Sequence, residues 1–150
     1  MGGSPSTDVD ISADGSIVTA VDGVNLFLST DGGNSFDKVN GTGNFPNTGI
    51  GRVEIAIAPS NSDYIYASLA STGKDLKGIY QSKDAGQNWT LIGSGGSSSF
   101  MPFSNSAQGQ GIYDNTIGVS LNNPEKIFLG GVKLYSWTST QGWNLSLIHI

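Results

Sequence analysis

An eight-residue phrase occurs twice in this chain and limits its architecture more than any other feature: Ser29-Thr30-Asp31-Gly32-Gly33-Asn34-Ser35-Phe36, then Ser82-Lys83-Asp84-Ala85-Gly86-Gln87-Asn88-Trp89. Both fit Ser-x-Asp-x-Gly-x-x-aromatic with every shared position at the same offset, and a recurring unit decides a fold before local propensity does. The flanking sequence repeats in the same order. Residues 9–20 alternate apolar and polar around a turn at Asp14-Gly15, Asp22-Gly23 turns the chain into residues 24–28, and the phrase follows. In the second unit the predicted strands are 53–58, 64–67, 78–81 and 90–92; the third begins with 116–120, 126–129 and 132–135. Short alternating runs separated by Gly, Asn, Asp and Pro are the signature of strands joined by tight turns.

Ile17, Ile65 and Ile127 align as equivalent positions, 48 and then 62 residues apart. A period near 50 built from four strands predicts a β-propeller blade. The expected fold class is therefore all-β, a partial β-propeller of four-stranded antiparallel blades. Residues 1–48, 49–95 and 113–144 read as blade one, blade two and an incomplete blade three, with 96–112 as an inserted loop. The inserted Gly/Ser-rich stretch carries Phe100, Met101 and Phe103. It reads either as a surface loop or as part of a recognition surface, the latter because loops of this length in compact domains commonly bind something.

Composition narrows the function. Seven Lys and Arg against twelve Asp and Glu give a net charge of −5, which excludes a nucleic-acid surface, since phosphate binding needs clustered cations. No cysteine is present, so neither a disulfide frame nor a thiolate metal site is available, and no cofactor or metal is expected. No stretch reaches the ~20 apolar residues that span a bilayer, and residues 1–20 lack the layout of a secretion signal, so that of a secreted parent would lie outside this segment. The final Leu145-Ser146-Leu147-Ile148-His149-Ile150 resembles the translation of a transposon mosaic-end adapter and reads as foreign to the repeat. It holds the only histidine, His149, so no chemistry is assigned to it.

The phrase has a physical reading. A hairpin turn leaves backbone N–H groups unpaired; a carboxylate two residues into it, at Asp31 or Asp84, accepts from them, and the hydroxyls of Ser29 and Ser82 add local bonds. Gly33 and Gly86 supply a left-handed backbone, while Phe36 and Trp89 fold back onto the sheet. An acid/base pair of Asp31 and Asp84 would need a separation of roughly 5–10 Å, shorter than the distance expected between equivalent turns of neighbouring blades.

These residues resemble the Asp-box, or BNR, repeat of sialidases, sortilin-type receptors and xyloglucan-hydrolysing propellers. The likeness covers nearly all of residues 9–144. Box one has Phe36 for the usual Trp, and box three is degenerate: Ser136 and Trp143 keep the seven-residue offset but Thr138 and Thr140 replace Asp and Gly. Gln110-Gly111-Ile112-Tyr113-Asp114 is similar to a stretch preceding blades of large Bacteroidetes surface propellers exported by type IX secretion. The resemblance implies an extracellular or cell-surface setting, further blades of a parent chain, and a glycan or protein ligand. It fixes architecture rather than activity. A sialidase's arginine triad cannot be assembled from Arg52, the single arginine, and no pair among Asp10, Asp22, Asp63 and Asp114 stands out as a xyloglucanase's cleft aspartates. The expected role is a non-catalytic scaffold with Arg52, Phe100, Phe103, Tyr113 and Asp114 as candidate binding residues; the alternative is one part of a glycoside hydrolase whose catalytic residues lie mostly elsewhere. Tyr113 and Asp114 serve equally well as anchors of a first strand.

Overall fold

A computed structural model describes residues 7–104 and 109–146; His149 and the rest of 147–150 lie outside the described residues. Among the described residues twelve strands form three separate four-stranded antiparallel sheets, each in simple up-and-down order. Sheet one holds β1 (Thr7–Ile11), β2 (Val18–Asp22), β3 (Asn25–Ser29) and the two-residue β4 (Asp37–Lys38). Sheet two holds β5 (Ile50–Ile57), β6 (Ile65–Ser71), β7 (Leu76–Ser82) and β8 (Thr90–Ser94). In sheet three, β9 (Thr116–Ser120), β10 (Asn123–Gly130), β11 (Tyr135–Thr138) and β12 (Gly142–Leu145) repeat the order. The first strands, β1, β5 and β9, lie side by side, so the sheets radiate from them.

Two apolar cores fill the junctions. Val21, Leu26, Val53, Ile55, Ile65 and Leu69 lie between sheets one and two, and Tyr66, Ile79, Ile127, Leu129 and Trp137 between sheets two and three. Alternation along a strand sends successive side chains to opposite faces, and the middle sheet uses both: Ile65 and Ala67 join the first core, Tyr66 the second. That explains why β6 is buried almost throughout.

The register differs from the sequence alignment in two places. Ile11 pairs with Val18 and Ile57 with Ile65, so Val18 is the residue equivalent to Ile65. Ile17 instead closes the preceding turn, where its N–H donates to Ser12 Oγ and its carbonyl accepts from Ser12 N. A one-residue slip in a strand exchanges its faces, and Ile17 packs toward sheet two rather than away from it. In sheet three the predicted strand 132–135 becomes β11, Tyr135–Thr138, because residues 131–134 bend over the inserted segment and Lys133 N donates to Pro102 O. Trp137 then stands opposite Trp143, with five intervening residues where the two phrases have six between Ser and aromatic. The position of the phrase's serine is thus held by Trp137, and the third turn is a shorter hairpin without the Ser-x-Asp bonds. Leu145 pairs with Tyr135 and Ser146 N donates to Leu134 O, so the start of the final hexapeptide continues sheet three.

Candidate functional site

The two phrase turns share one bonding scheme. Ser29 Oγ donates to Asp31 Oδ1 (2.7 Å) and accepts from Gly33 N (2.8 Å), while Asp31 accepts from Ser35 N and Ser35 Oγ. Ser82 Oγ likewise donates to Asp84 Oδ1 (2.8 Å) and accepts from Gly86 N (2.8 Å), and Asp84 accepts from Asn88 N and Nδ2. Gly33 and Gly86 have φ of 88° and 85°, which side chains with a Cβ enter at a cost. The Ser35 and Ser29 bonds hold Asp31 down to about 2. For Asp84, burial pushes the carboxyl up, and bonds from Asn88 and Ser82 outweigh it to leave the pKa lowered. A carboxylate kept ionised by its own turn is a poor proton donor at neutral pH. The same chemistry recurs in the β1–β2 turn, where Asp14 accepts from Ser12 Oγ, Ser16 N and Ser16 Oγ and is held at about 2.

The aromatic ends of the two phrases part company. Trp89 is 3% exposed, its ring 5.0 Å from Phe45 in an edge-to-face contact, and its indole N–H donates to Gly86 O. Phe36 is 43% exposed, so it packs onto its sheet only in part. The ring that seats Trp89 comes from the loop after sheet one, and no described segment delivers an equivalent ring to Phe36.

Phe100 plays the part of Phe45 at the next junction. Phe45 sits 5.6 Å from Tyr80 and 5.0 Å from Trp89; Phe100 sits 4.9 Å from Tyr135 and 4.7 Å from Trp143. These residues lie 55, 55 and 54 positions apart in the sequence. Each connecting loop therefore drives one phenylalanine between a tyrosine and a tryptophan of the following sheet. Phe103 departs further from its expected surface role: it is 1% exposed and belongs to the second core. A Cβ on Gly111 would lie 2.5 Å from its ring and one on Gly131 2.7 Å, so both glycines are there to let the ring in.

Arg52 turns inward. Its guanidinium pairs with Glu54 at 2.5 Å and donates to Ile112 O at 2.9 Å, tying β5 to the segment that enters sheet three. Burial holds the Glu54 carboxyl above its ordinary value; the Arg52 bond opposes that, and the charge of Asp8 reinforces it. Asp114 N donates to Gln110 O within a turn that places Tyr113 at the surface, 68% exposed. Lys74 Nζ lies 5.7 Å from the centre of the Tyr113 ring.

A cleft of about 330 Å³ is lined by Asp75, Leu76, Ser97, Ser98, Phe100, Met101, Phe103 and Ser104. The β6–β7 hairpin makes one wall, with Ser71 N donating to Asp75 O and Lys74 holding a left-handed φ of 73°. The inserted loop makes the other, anchored where Gln110 N donates to Phe103 O and Gly111 N to Lys74 O. A lining that mixes buried apolar Leu76 and Phe103 with exposed Asp75, Ser97 and Ser98 suits a ligand having both an apolar face and hydroxyl groups. The structure thus brings Phe100 and Phe103 together at the cleft, leaves Tyr113 outside its lining, and commits Arg52 to a structural clamp. Among the described residues no three metal-ligating side chains converge.

Four side chains make structural contacts that were not anticipated from sequence. Asn115 is 3% exposed, accepts from Ser68 Oγ and donates to Ser68 O; Tyr66, fully buried, donates to Pro124 O and accepts from Gln81 Nε2, and burial pushes its hydroxyl up to about 12. Asp8 and Asp10 bridge the first strands: Asp8 Oδ2 accepts from Ile55 N (2.8 Å) and Asp10 Oδ2 from Ile57 N (2.7 Å). Only the Asp-x-Asp alternation on a strand edge hinted at the last of these.

No protein-family model matches the chain, and neither does any protein of curated function. Among solved structures it is similar to an ancestral GH74 enzyme, with a TM-score of 0.64 and 19% identity over 95% of this chain and 18% of that one. It also aligns with YCF48 bound to a D1 peptide, at a TM-score of 0.36 and 16% identity, covering 91% of this chain and 50% of that one. The chain therefore spans less than a fifth of the GH74 enzyme it matches. Together, three radiating four-stranded antiparallel sheets and the GH74 match identify an all-β fold, a partial β-propeller of three blades.

Proposed function

We propose that this chain is part of an extracellular or cell-surface propeller scaffold that binds a glycan, without turning it over, at the cleft between the β6–β7 hairpin and the inserted loop. The observation that carries the reading is the composition of the cleft: apolar Leu76, Phe100 and Met101 beside Asp75 and the serines. Sugar rings present a C–H face to apolar and aromatic groups and hydroxyls to carboxylates, and this mixed lining offers partners for both. A glycan array probed with the chain tests it. Retention of one oligosaccharide class, lost in Asp75→Ala and Met101→Ala while circular dichroism is unchanged, is the expected result. An array with no retained glycan overturns the proposal. The second reading, one part of a glycoside hydrolase, draws on the GH74 match; release of reducing sugar from xyloglucan or sialosides in a parallel screen would favour it.

A further inference from the structure

The first strands of the three sheets are joined unequally. Across the junction of sheets one and two, Asp8 and Asp10 of β1 each offer a carboxylate oxygen to β5, at Ile55 N and Ile57 N. Ile117 and Val119 of β9 pair with Leu129 and Ile127 as Ile55 and Ile57 pair with Ala67 and Ile65. Both pairs also turn their side chains toward the preceding sheet. In a strand of L-residues, the face a side chain takes sets the edge to which its own N–H points. Ile117 N and Val119 N therefore face β5 as Ile55 N and Ile57 N face β1. The residues of β5 equivalent to Asp8 and Asp10 are Glu54 and Ala56. Glu54 is paired with Arg52 at 2.5 Å, and Ala56 has no acceptor to give. Among the described residues no side chain accepts from Ile117 N or Val119 N. In its place lies a cavity of about 300 Å³, lined by Ala56 together with Asp10, Ile55, Ile57, Ile117 and Val119.

We infer that this cavity binds the carboxylate of a small aliphatic acid, seated on Val119 N and Ile117 N where the preceding junction seats Asp10 and Asp8. Backbone donors beside apolar walls are costly to leave without a partner, and an ionised acceptor makes the stronger bond. The isoleucines, Val119 and Pro59 ask for an alkyl chain behind the carboxylate. Asp10 is the one charged residue of the lining, and its oxygens already accept from Ile11 N and Ile57 N. A second carboxylate on the ligand would meet that charge, so a monocarboxylate fits and a dicarboxylate does not. In the repeat the acceptor comes from the preceding first strand, which for β9 is β5, so a later blade does not supply it.

The test is a titration of the isotope-labelled chain with sodium butyrate at neutral pH, followed by amide chemical shifts. Sodium chloride at matched ionic strength and butyramide, the uncharged analogue, are the controls. The Val119 and Ile117 amide protons should move downfield and saturate, with half-saturation on the order of a millimolar for a ligand of so few atoms. Ile55 and Ile57, whose acceptors are in place, should not move. Ala56→Asp supplies from β5 the carboxylate that Asp10 supplies from β1; it should shift Val119 downfield without ligand and weaken butyrate at least ~10-fold. No saturable shift at Val119 in the original chain, or an equal response to butyramide or chloride, would overturn the inference whether or not Ala56→Asp folds. A folded Ala56→Asp variant that takes butyrate as the original chain does would overturn it as well.

Discussion

Replacing Trp89 by alanine and Phe36 by alanine makes the same type of change at equivalent positions, and the costs should differ several-fold. Trp89 is 3% exposed, contacts Phe45 edge-to-face, and donates its indole N–H to Gly86 O. Truncating a buried aromatic costs about 3–5 kcal/mol. The edge contact contributes ~0.5–1.5 kcal/mol beyond burial and the hydrogen bond a similar amount, both already inside that range, so ~4 kcal/mol is the expected loss. Phe36, 43% exposed and without a stacking ring, retains little more than half of the burial benefit and none of the ring contact; its loss should be ~1 kcal/mol. Lys83→Ala removes an exposed ion pair to Glu125, side chains 50% and 31% exposed, and should cost under ~1 kcal/mol. Urea unfolding followed by far-UV circular dichroism measures all three. Equal losses for Trp89→Ala and Phe36→Ala would refute the claim that the loop ring of the neighbouring blade, rather than the turn itself, gives the aromatic its worth.

Further outcomes follow from single contacts. Asp10→Ala leaves Ile57 N without its acceptor and should cost about 1–3 kcal/mol, with faster hydrogen exchange at Ile57; unchanged exchange would show that the carboxylate bridge is absent. Because the folded-state pKa of Asp31 is lowered from 3.8 to about 2, its contribution is present above pH 3.8 and is lost as pH falls toward 2. Asp31→Asn should therefore flatten part of the acid loss of stability between about pH 4 and pH 2, and a mutant profile parallel to the original would contradict this. Gly111→Ala puts a Cβ 2.5 Å from Phe103 and should cost ~1–3 kcal/mol, whereas Gly118→Ala, with nothing within 4 Å, should cost under ~1 kcal/mol. Equal melting shifts for these two variants would argue against the seat for Phe103.

The phrase turns were legible because their chemistry is local. Serine, aspartate and glycine at fixed offsets satisfy one another within eight residues, and the resulting four-strand order carried through to all three sheets. What depended on the neighbouring sheet was not legible. Ile17 and Val18 are equally apolar, and only pairing to Ile11 tells which one shares a face with Ile65. Phe36 and Trp89 look alike in sequence, yet a ring from another loop buries one and not the other. Phe100 and Phe103 suggested a binding loop because aromatics in a Gly/Ser-rich segment lack a visible core; the core they join comes from Tyr135, Trp143 and the glycines at 111 and 131. Asp75 and Leu76 carried no signal as cleft residues, since the hairpin meets the inserted loop only once the blade is formed.

The loop-borne ring at each junction is the feature on which the three-blade arrangement rests, and a double-mutant cycle reads it directly. Coupling energies for Phe45 with Trp89 and for Phe100 with Trp143 should each be ~1 kcal/mol, with no coupling between Phe45 and Trp143, which belong to different junctions. Values near zero for both native pairs, or a coupling between Phe45 and Trp143 as large as theirs, would contradict the arrangement.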